Sequence, residues 1–113
     1  MSRALPALAA LNGLLAVAVG AFGAHAIADP QAKAWIATGA TYGLGHAAAA
    51  FAVADRSRAA GWTMTLGALL FAGALYVLGL TGQRWLGMVA PIGGTLMIAG
   101  WAILLWQTLK PER

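Results

Sequence analysis

Long apolar runs alternate with short polar breaks along the chain, and this pattern predicts four helices. The apolar runs cover about residues 4–26, 31–54, 61–80 and 86–109. Each run holds about 20 to 24 residues, and about 20 apolar residues suffice for a helix to cross the hydrocarbon core of a bilayer. We therefore predict an all-α fold, a single integral membrane domain over residues 1–113 that forms a four-helix bundle.

The breaks between the runs contain residues typical of turns. Asp29 precedes Pro30, and a residue before proline is disfavoured in the helical region. The second break is the charged segment 55–58, and the third is a turn at residues 81–84. Pro91 suits the first position of the fourth helix. Residues 85–90 then form either an outer loop at the membrane interface or a first helical turn kinked at Pro91, and we favour the helical turn.

The first apolar run also has features of a secretory signal peptide. Arg3 precedes it, and the small-residue triplet Ala24-His25-Ala26 resembles a cleavage site. The run is longer than the roughly 7 to 15 residues of a typical signal core. We therefore expect it to be retained as a transmembrane helix.

The composition requires lipid as the solvent for most of the surface. Hydrophobic residues make up 61% of the chain and charged residues 9%, against about 25% charged in soluble proteins. A small soluble domain keeps much of its area in water, and so few charges could not cover it. The chain has no cysteine, which excludes thiol chemistry and iron–sulfur clusters. Its basic residues are scattered, which argues against nucleic-acid binding.

The distribution of basic residues predicts the orientation. With four crossings, the N-terminus, the second break and the C-terminus lie on one side of the membrane. That side carries five of the seven basic residues, namely Arg3, Arg56, Arg58, Lys110 and Arg113, and the other side carries Lys33 and Arg84. Because basic loops stay on the cytoplasmic side, both termini are predicted to be cytoplasmic.

Few polar residues lie at membrane depth in the predicted spans, and none of them is Asp, Glu, Lys or Arg; Lys33 falls at the outer end of the second span. The candidate polar positions are Asn12, His25, Thr38, Tyr42, His46 and Tyr76. A proton-coupled exporter of cations needs a carboxylate that titrates within the membrane, and the spans contain none. We predict no catalytic, metal or cofactor site, and hence no enzyme.

Three of these residues lie on one face of the second helix. Thr38, Tyr42 and His46 are spaced by four, so they form a stripe that should face other helices. The stripe is either a site or proton relay centred on His46, or a set of interhelical hydrogen bonds. We expect Asn12 to bond to another helix and His25 to cap the carbonyl groups at the end of the first helix.

A haem held by both histidines is disfavoured by their depth. His25 lies near the outer end of the first helix, whereas His46 lies about 16 Å deeper along the second helix. One iron cannot reach both rings within a single chain. A haem shared by two His46 residues across a dimer stays open.

Small residues and tryptophans complete the membrane pattern. The pair Gly39-xxx-Gly43 and the ridge Ala16-xxx-Gly20-xxx-Ala24 allow helices to approach closely. They indicate either a dimer seam or packing within one bundle, and the spread of 15 glycines over the chain favours packing. Four tryptophans lie near helix ends, where they anchor at the interface. Trp101 is the exception, inside the fourth helix.

Several motifs together resemble the family called domain of unknown function 423. They are Asn12-Gly13, Gly20-Ala21-Phe22-Gly23-Ala24-His25, Thr38-Gly39-x-x-Tyr42-x-x-x-His46, Leu70-Phe71-x-Gly73-x-x-Tyr76, Leu80-Thr81-Gly82, Pro91-Ile92-Gly93-Gly94 and Ala99-Gly100-Trp101. The resemblance implies a small multi-pass protein of the bacterial inner membrane, like the YwdK-like members, with a related eukaryotic transmembrane protein. It implies no activity, ligand or catalytic residue. Family members usually carry serines where this chain has Ala72 and Ala74.

Two functions remain, besides the disfavoured haem protein. The first is a non-catalytic accessory, assembly or interaction subunit that packs against a larger membrane protein. The second is a homo-oligomeric channel or transporter for a small solute, lined by Asn12, Tyr42 and His46. A pore requires an oligomer, because four helices enclose little space. The expected surroundings are the lipid bilayer and either a membrane protein partner or further copies of the chain.

Overall fold

The chain is entirely helical in the computed structural model, which describes residues 2–111. Within this range lie four α-helices and one 3₁₀-helix: α1 (Ala4–Ala26), α2 (Pro30–Val53), α3 (Arg58–Thr81), the 3₁₀-helix (Arg84–Met88) and α4 (Ala90–Leu109). The molecule measures 54 × 24 × 19 Å. The predicted all-α fold class is confirmed.

Side chains in the breaks define where α2 and α3 begin. The Asp29 carboxylate accepts a hydrogen bond of 2.8 Å from the backbone N–H of Ala32, and Pro30 is the first residue of α2. The Ser57 hydroxyl accepts a bond of 3.2 Å from the N–H of Ala60. Because this cap satisfies a free N–H of the first turn, α3 begins at Arg58 and not at residue 61.

The segment before α4 differs from the predicted helical turn. Residues Arg84–Met88 form a 3₁₀-helix, and α4 starts at Ala90 with Pro91 in its first turn. Proline has no N–H to donate to the carbonyl group one turn earlier, so an α-helix cannot continue unchanged through it. Leu86 and Ala90 are buried against α3, which holds this segment to the bundle.

Within residues 2–111, three segments are long and apolar enough to cross a membrane: Ala4–Ala26, Arg58–Thr81 and Arg84–Leu109. The fourth predicted span, α2, has the same 24-residue length as α3. It carries more small and polar residues and does not reach the same hydropathy.

Helix α3 lies at the centre of the bundle. It packs against α1, α2 and α4, while α1 packs against α2 on one side. The α3–α4 crossing is close because it uses glycines. A methyl group on Gly93 would lie 2.5 Å from the carbonyl oxygen of Gly67 and would also collide with the backbone nitrogen of Phe71.

The predicted small-residue motifs are used inside the chain. A methyl group on Gly39 would come within 2.9 Å of the Tyr76 ring, and one on Gly43 within 3.1 Å of the Tyr76 hydroxyl. Gly20 faces Ala40 of α2, with 3.0 Å between the added carbon and the Ala40 Cβ. Gly20, Gly39 and Gly43 therefore serve packing within one bundle.

Candidate functional site

A groove runs between α2 and α4, with Phe71 of α3 at its floor. We call it the α2–α4 groove; its lining residues are Thr38, Tyr42, His46, Phe71, Gly94, Met97, Ile98 and Trp101. Its volume is about 530 Å³. The groove exists because α2 and α4 both pack on α3 but hardly touch each other. It gathers the whole predicted polar stripe of α2.

His46 is held by two hydrogen bonds that determine its tautomer. Trp101 Nε1 lies 2.9 Å from His46 Nε2, and His46 Nδ1 lies 2.8 Å from the carbonyl oxygen of Tyr42. An indole N–H can only donate, so His46 Nε2 accepts and the ring proton is on Nδ1, which donates to Tyr42. The ring is 8% exposed and stands edge-on to Trp101, with centroids 5.9 Å apart.

This arrangement favours a structural role for His46. Both ring nitrogens are occupied, and protonation of Nε2 would remove the lone pair that Trp101 uses. A haem iron would likewise have to displace Trp101 from the nitrogen. Residues 2–111 contain no group of three or more histidine or acidic side chains that could hold a metal ion.

Tyr42 lies at the edge of the same groove. Its ring is edge-on to Phe71, with centroids 5.4 Å apart, and 49% of the residue is exposed. His46 is therefore buried between helices, as predicted. Tyr42 is half exposed at the bundle surface, so its predicted interior position is wrong. The hydroxyl groups of Tyr42 and Thr38 make no hydrogen bond within the described part of the chain.

A second polar site lies inside the bundle. Asn12 of α1 donates a hydrogen bond of 3.1 Å from Nδ2 to the carbonyl oxygen of Thr65 in α3, which confirms the predicted bond to another helix. Beside it is a small cavity of about 20 Å³, which we call the inner cavity. Its lining residues are Asn12, Leu15, Gly43, Leu69, Ala72, Gly73 and Tyr76. The Tyr76 hydroxyl is buried and has no partner among the described residues.

The comparisons with known proteins agree with this picture of a small helical membrane protein. The family described as a protein of unknown function, DUF423, matches residues 19–94. The chain belongs to the DUF423 family. The predicted resemblance is thus confirmed, and the match includes the polar stripe, Tyr76 and the glycines of the α3–α4 crossing.

Several relatives cover almost the whole of this DUF423 chain. It is 38% identical to a UPF0382 membrane protein of Staphylococcus epidermidis, over 91% of this chain and 93% of that protein. It is 37% identical to the UPF0382 inner membrane protein YgdD of Escherichia coli, over 99% and 94%. The UPF0382 membrane protein YwdK of Bacillus subtilis is 38% identical, over 91% and 94%. No solved structure matches the chain.

These relatives and the apolar helices show a multi-pass protein of the inner membrane, as predicted. The names of the relatives describe membrane proteins and give no enzymatic activity. The DUF423 family thus establishes the kind of protein and its location, while the site has to be argued from geometry.

The expected role of His25 is wrong. Its side chain is exposed and makes no hydrogen bond to residues 2–111, so it does not cap α1. The helix instead ends because Ile27 takes an extended conformation, with φ −98° and ψ 121°. The ring projects from the helix end, where the carbonyl groups are open to solvent or headgroups.

Trp101 is the residue of the groove that the spacing of the sequence could not identify. It lies 55 residues after His46 on another helix, so no local periodicity connects them. Its position inside α4, away from the interfacial tryptophans, was the available signal. An indole N–H at the depth of the lipid tails needs an acceptor, and His46 Nε2 supplies it.

Proposed function

We propose that this chain is a non-catalytic interaction subunit that binds a transmembrane helix of a larger membrane protein. The docking surface comprises the α2–α4 groove and the adjoining exposed face of α2. The observation that carries this proposal is the composition of that exposed face, which consists of alanine, glycine and threonine and carries no large apolar side chain.

The exposed faces of α1 and α4 are typical of helices in contact with lipid. Leu14 and Val17 of α1 are 64% and 61% exposed, and Ile98 and Leu105 of α4 are 71% and 61% exposed. Such side chains match lipid tails in polarity.

The exposed face of α2 beside the groove is different. It consists of Ala34, Ala37, Thr41, Gly45 and Ala48. The large exposed residues of α2, Leu44 and Phe51, lie on the side nearest α1. Small residues let the backbone of another helix come close, and this is the main source of helix association in lipid. A helix from a partner would fit along this face.

The hydroxyl of Tyr42 supports the same occupant. Tyr42 lies near the middle of α2, so its hydroxyl is at the depth of the lipid tails. An unpaired hydroxyl in an apolar medium costs about 1 to 3 kcal/mol by protein mutational data. A polar side chain of a partner helix would remove that cost by hydrogen bonding to the hydroxyl, whereas a lipid tail has no hydrogen-bonding group.

The channel alternative is supported less well by the geometry. Asn12 lines the inner cavity, while Tyr42 and His46 line the α2–α4 groove. Neither of these two cavities brings the three residues together. A solute path lined by all three would therefore need a rearrangement of the bundle as well as an oligomer.

The proposed topology has α2 as the fourth span, with both termini in the cytoplasm. Five basic residues against two support this orientation, although one of the five, Arg113, lies outside the described residues.

The chain has no cysteine, so a single introduced cysteine is the only site that a maleimide can label. We expect an impermeant maleimide added outside to label Gln83→Cys and not Asp55→Cys. Asp55 is chosen because it is exposed, unlike its neighbour Ser57. Labelling of Asp55→Cys but not of Gln83→Cys would show that the orientation is the reverse of the proposed one.

Photocrosslinking in the native membrane tests the docking surface. A photoreactive side chain at Thr41, on the exposed face of α2, should give one protein adduct that is heavier than two copies of the chain. The same group at Leu14, on the lipid face of α1, should give lipid adducts only. If position 41 yields only lipid adducts, the surface has no helix on it. If the adduct has twice the mass of the chain, the occupant is a second copy, and the proposed larger partner is wrong.

A further inference from the structure

We propose that the inner cavity binds a single water molecule, which bridges the Tyr76 hydroxyl and the side-chain amide of Asn12. This site is separate from the α2–α4 groove and does not depend on the proposed function.

The size of the cavity selects the ligand. Its volume is about 20 Å³, and a cavity needs about 10 to 15 Å³ to hold one water. A molecule with several heavy atoms does not fit. Because five of the seven lining residues are apolar or glycine, a charged species would be left without a counter-charge.

The polar groups at the cavity wall are those that a water needs. Tyr76 is 8% exposed, and its hydroxyl has no partner in the described residues. Asn12 is 6% exposed and uses Nδ2 for the bond to Thr65, which leaves its carbonyl oxygen Oδ1 able to accept. A buried water needs two to four polar partners. A water that donates to Asn12 Oδ1 and accepts from the Tyr76 hydroxyl meets this requirement.

Gly43 makes the room for this arrangement. A methyl group there would lie 3.1 Å from the Tyr76 hydroxyl and 3.3 Å from the Ala72 Cβ. The other buried hydroxyl without a partner, that of Thr65, does not line the cavity and is not part of the site. The water would give α1 and α3 a second connection beside the direct bond from Asn12 to Thr65.

The sign of the stability change in Tyr76→Phe tests the proposal. Without a bound water, Tyr76→Phe removes a buried hydroxyl that has no partner, and the melting temperature in detergent should rise. With the water present, the substitution breaks a hydrogen bond and the melting temperature should fall. Tyr42→Phe is the matched control, because Tyr42 lies on the α2–α4 groove and not on the inner cavity.

A double-mutant cycle with Asn12→Leu then separates the shared water from the bond between Asn12 and Thr65. The two substitutions should be non-additive by about threefold in the unfolding equilibrium constant, while Asn12→Leu and Tyr42→Phe should be additive. A crystal structure should show one solvent peak within hydrogen-bond distance of both side chains. A higher melting temperature for Tyr76→Phe, additive effects, or a direct Asn12–Tyr76 bond with no water between them would each overturn the proposal.

Discussion

At the residue scale, His46 and Trp101 form the only side-chain pair that joins α2 to α4 by a hydrogen bond in the described residues. Each supplies what the other lacks, since the indole can only donate and the neutral imidazole has one lone pair free. The bond lies within the α2–α4 groove. The Tyr42 hydroxyl beside it makes no hydrogen bond within the described residues.

Removing the indole N–H should destabilise the bundle by a small and measurable amount. Trp101→Phe leaves His46 Nε2 without its donor, so we expect a lower melting temperature in detergent. A double-mutant cycle with His46→Leu should give a coupling of about 0.6 kcal/mol, with about 1.7 kcal/mol as the upper end seen for such bonds. Trp106→Phe is the control, because Trp106 is 62% exposed and its indole N–H makes no hydrogen bond within the described residues. A coupling of zero would mean that the pair is not bonded in the folded protein.

Local spacing identifies some of these residues and not others. The interval of four is enough to place Thr38, Tyr42 and His46 on one face, because helical geometry is regular. It cannot identify Trp101, whose contact depends on how two distant helices cross. The prediction for His25 is wrong because the ring, although it lies in the last turn of α1, is exposed and makes no hydrogen bond to the described residues.

At the scale of helices, glycines determine how closely α3 approaches α4. Gly93 and Gly94 are neighbours in sequence with opposite surroundings. A methyl group on Gly93 would lie 2.5 Å from the Gly67 carbonyl oxygen, whereas one on Gly94 would meet only the Phe71 ring, at 3.8 Å. Gly93 faces the backbone of α3, which cannot move aside as a flexible side chain could. Gly94 faces the α2–α4 groove.

The two alanine substitutions should therefore differ in sign. Gly93→Ala forces α3 and α4 apart, and we expect a loss of several degrees or more in melting temperature. Gly94→Ala should be neutral or stabilising, because alanine is favoured over glycine in a helix by about 0.5 to 1 kcal/mol. Circular dichroism on heating in detergent measures both. Equal effects of the two substitutions would contradict the close α3–α4 crossing.

The apolar runs predict the helices well, because a span needs a long uninterrupted stretch of apolar residues. The ends of α3 are predicted less accurately, since Ser57 and Gly82 act through cap geometry at single residues. A helical turn before Pro91 is predicted, but its 3₁₀ conformation at Arg84–Met88 is not. Its conformation depends on the packing of Leu86 and Ala90 against α3, which sequence periodicity does not encode.

At the scale of the whole molecule, α3 is the central helix. Helix α2 is the one whose outer face beside α4 is not covered by another helix in the described residues. Helices α1 and α4 pack on α3 and turn apolar side chains to the lipid. Helix α2 packs on α1 and α3 and turns small and polar side chains outward. This asymmetry is the central claim of the proposed function. The sequence predicts it only in part, since the polar stripe is visible in the residue spacing but the gap beside α4 is not.

The most direct test is the mass of the complex in which the chain is extracted from its native membrane with mild detergent. Gly45 lies on the exposed face of α2, and a methyl group there meets no atom within 4 Å. Gly45→Leu should therefore leave the chain folded, with an unchanged or higher melting temperature, and obstruct only a helix packed on that face. Ala18→Leu is the control, since Ala18 is exposed on α1, which does not border the α2–α4 groove.

We expect the unchanged chain and Ala18→Leu to be recovered in a complex with one larger protein. Gly45→Leu should reduce the recovered complex at least tenfold without unfolding the chain. A chain recovered alone or only as a homo-oligomer, or a complex that Gly45→Leu leaves intact, would contradict it.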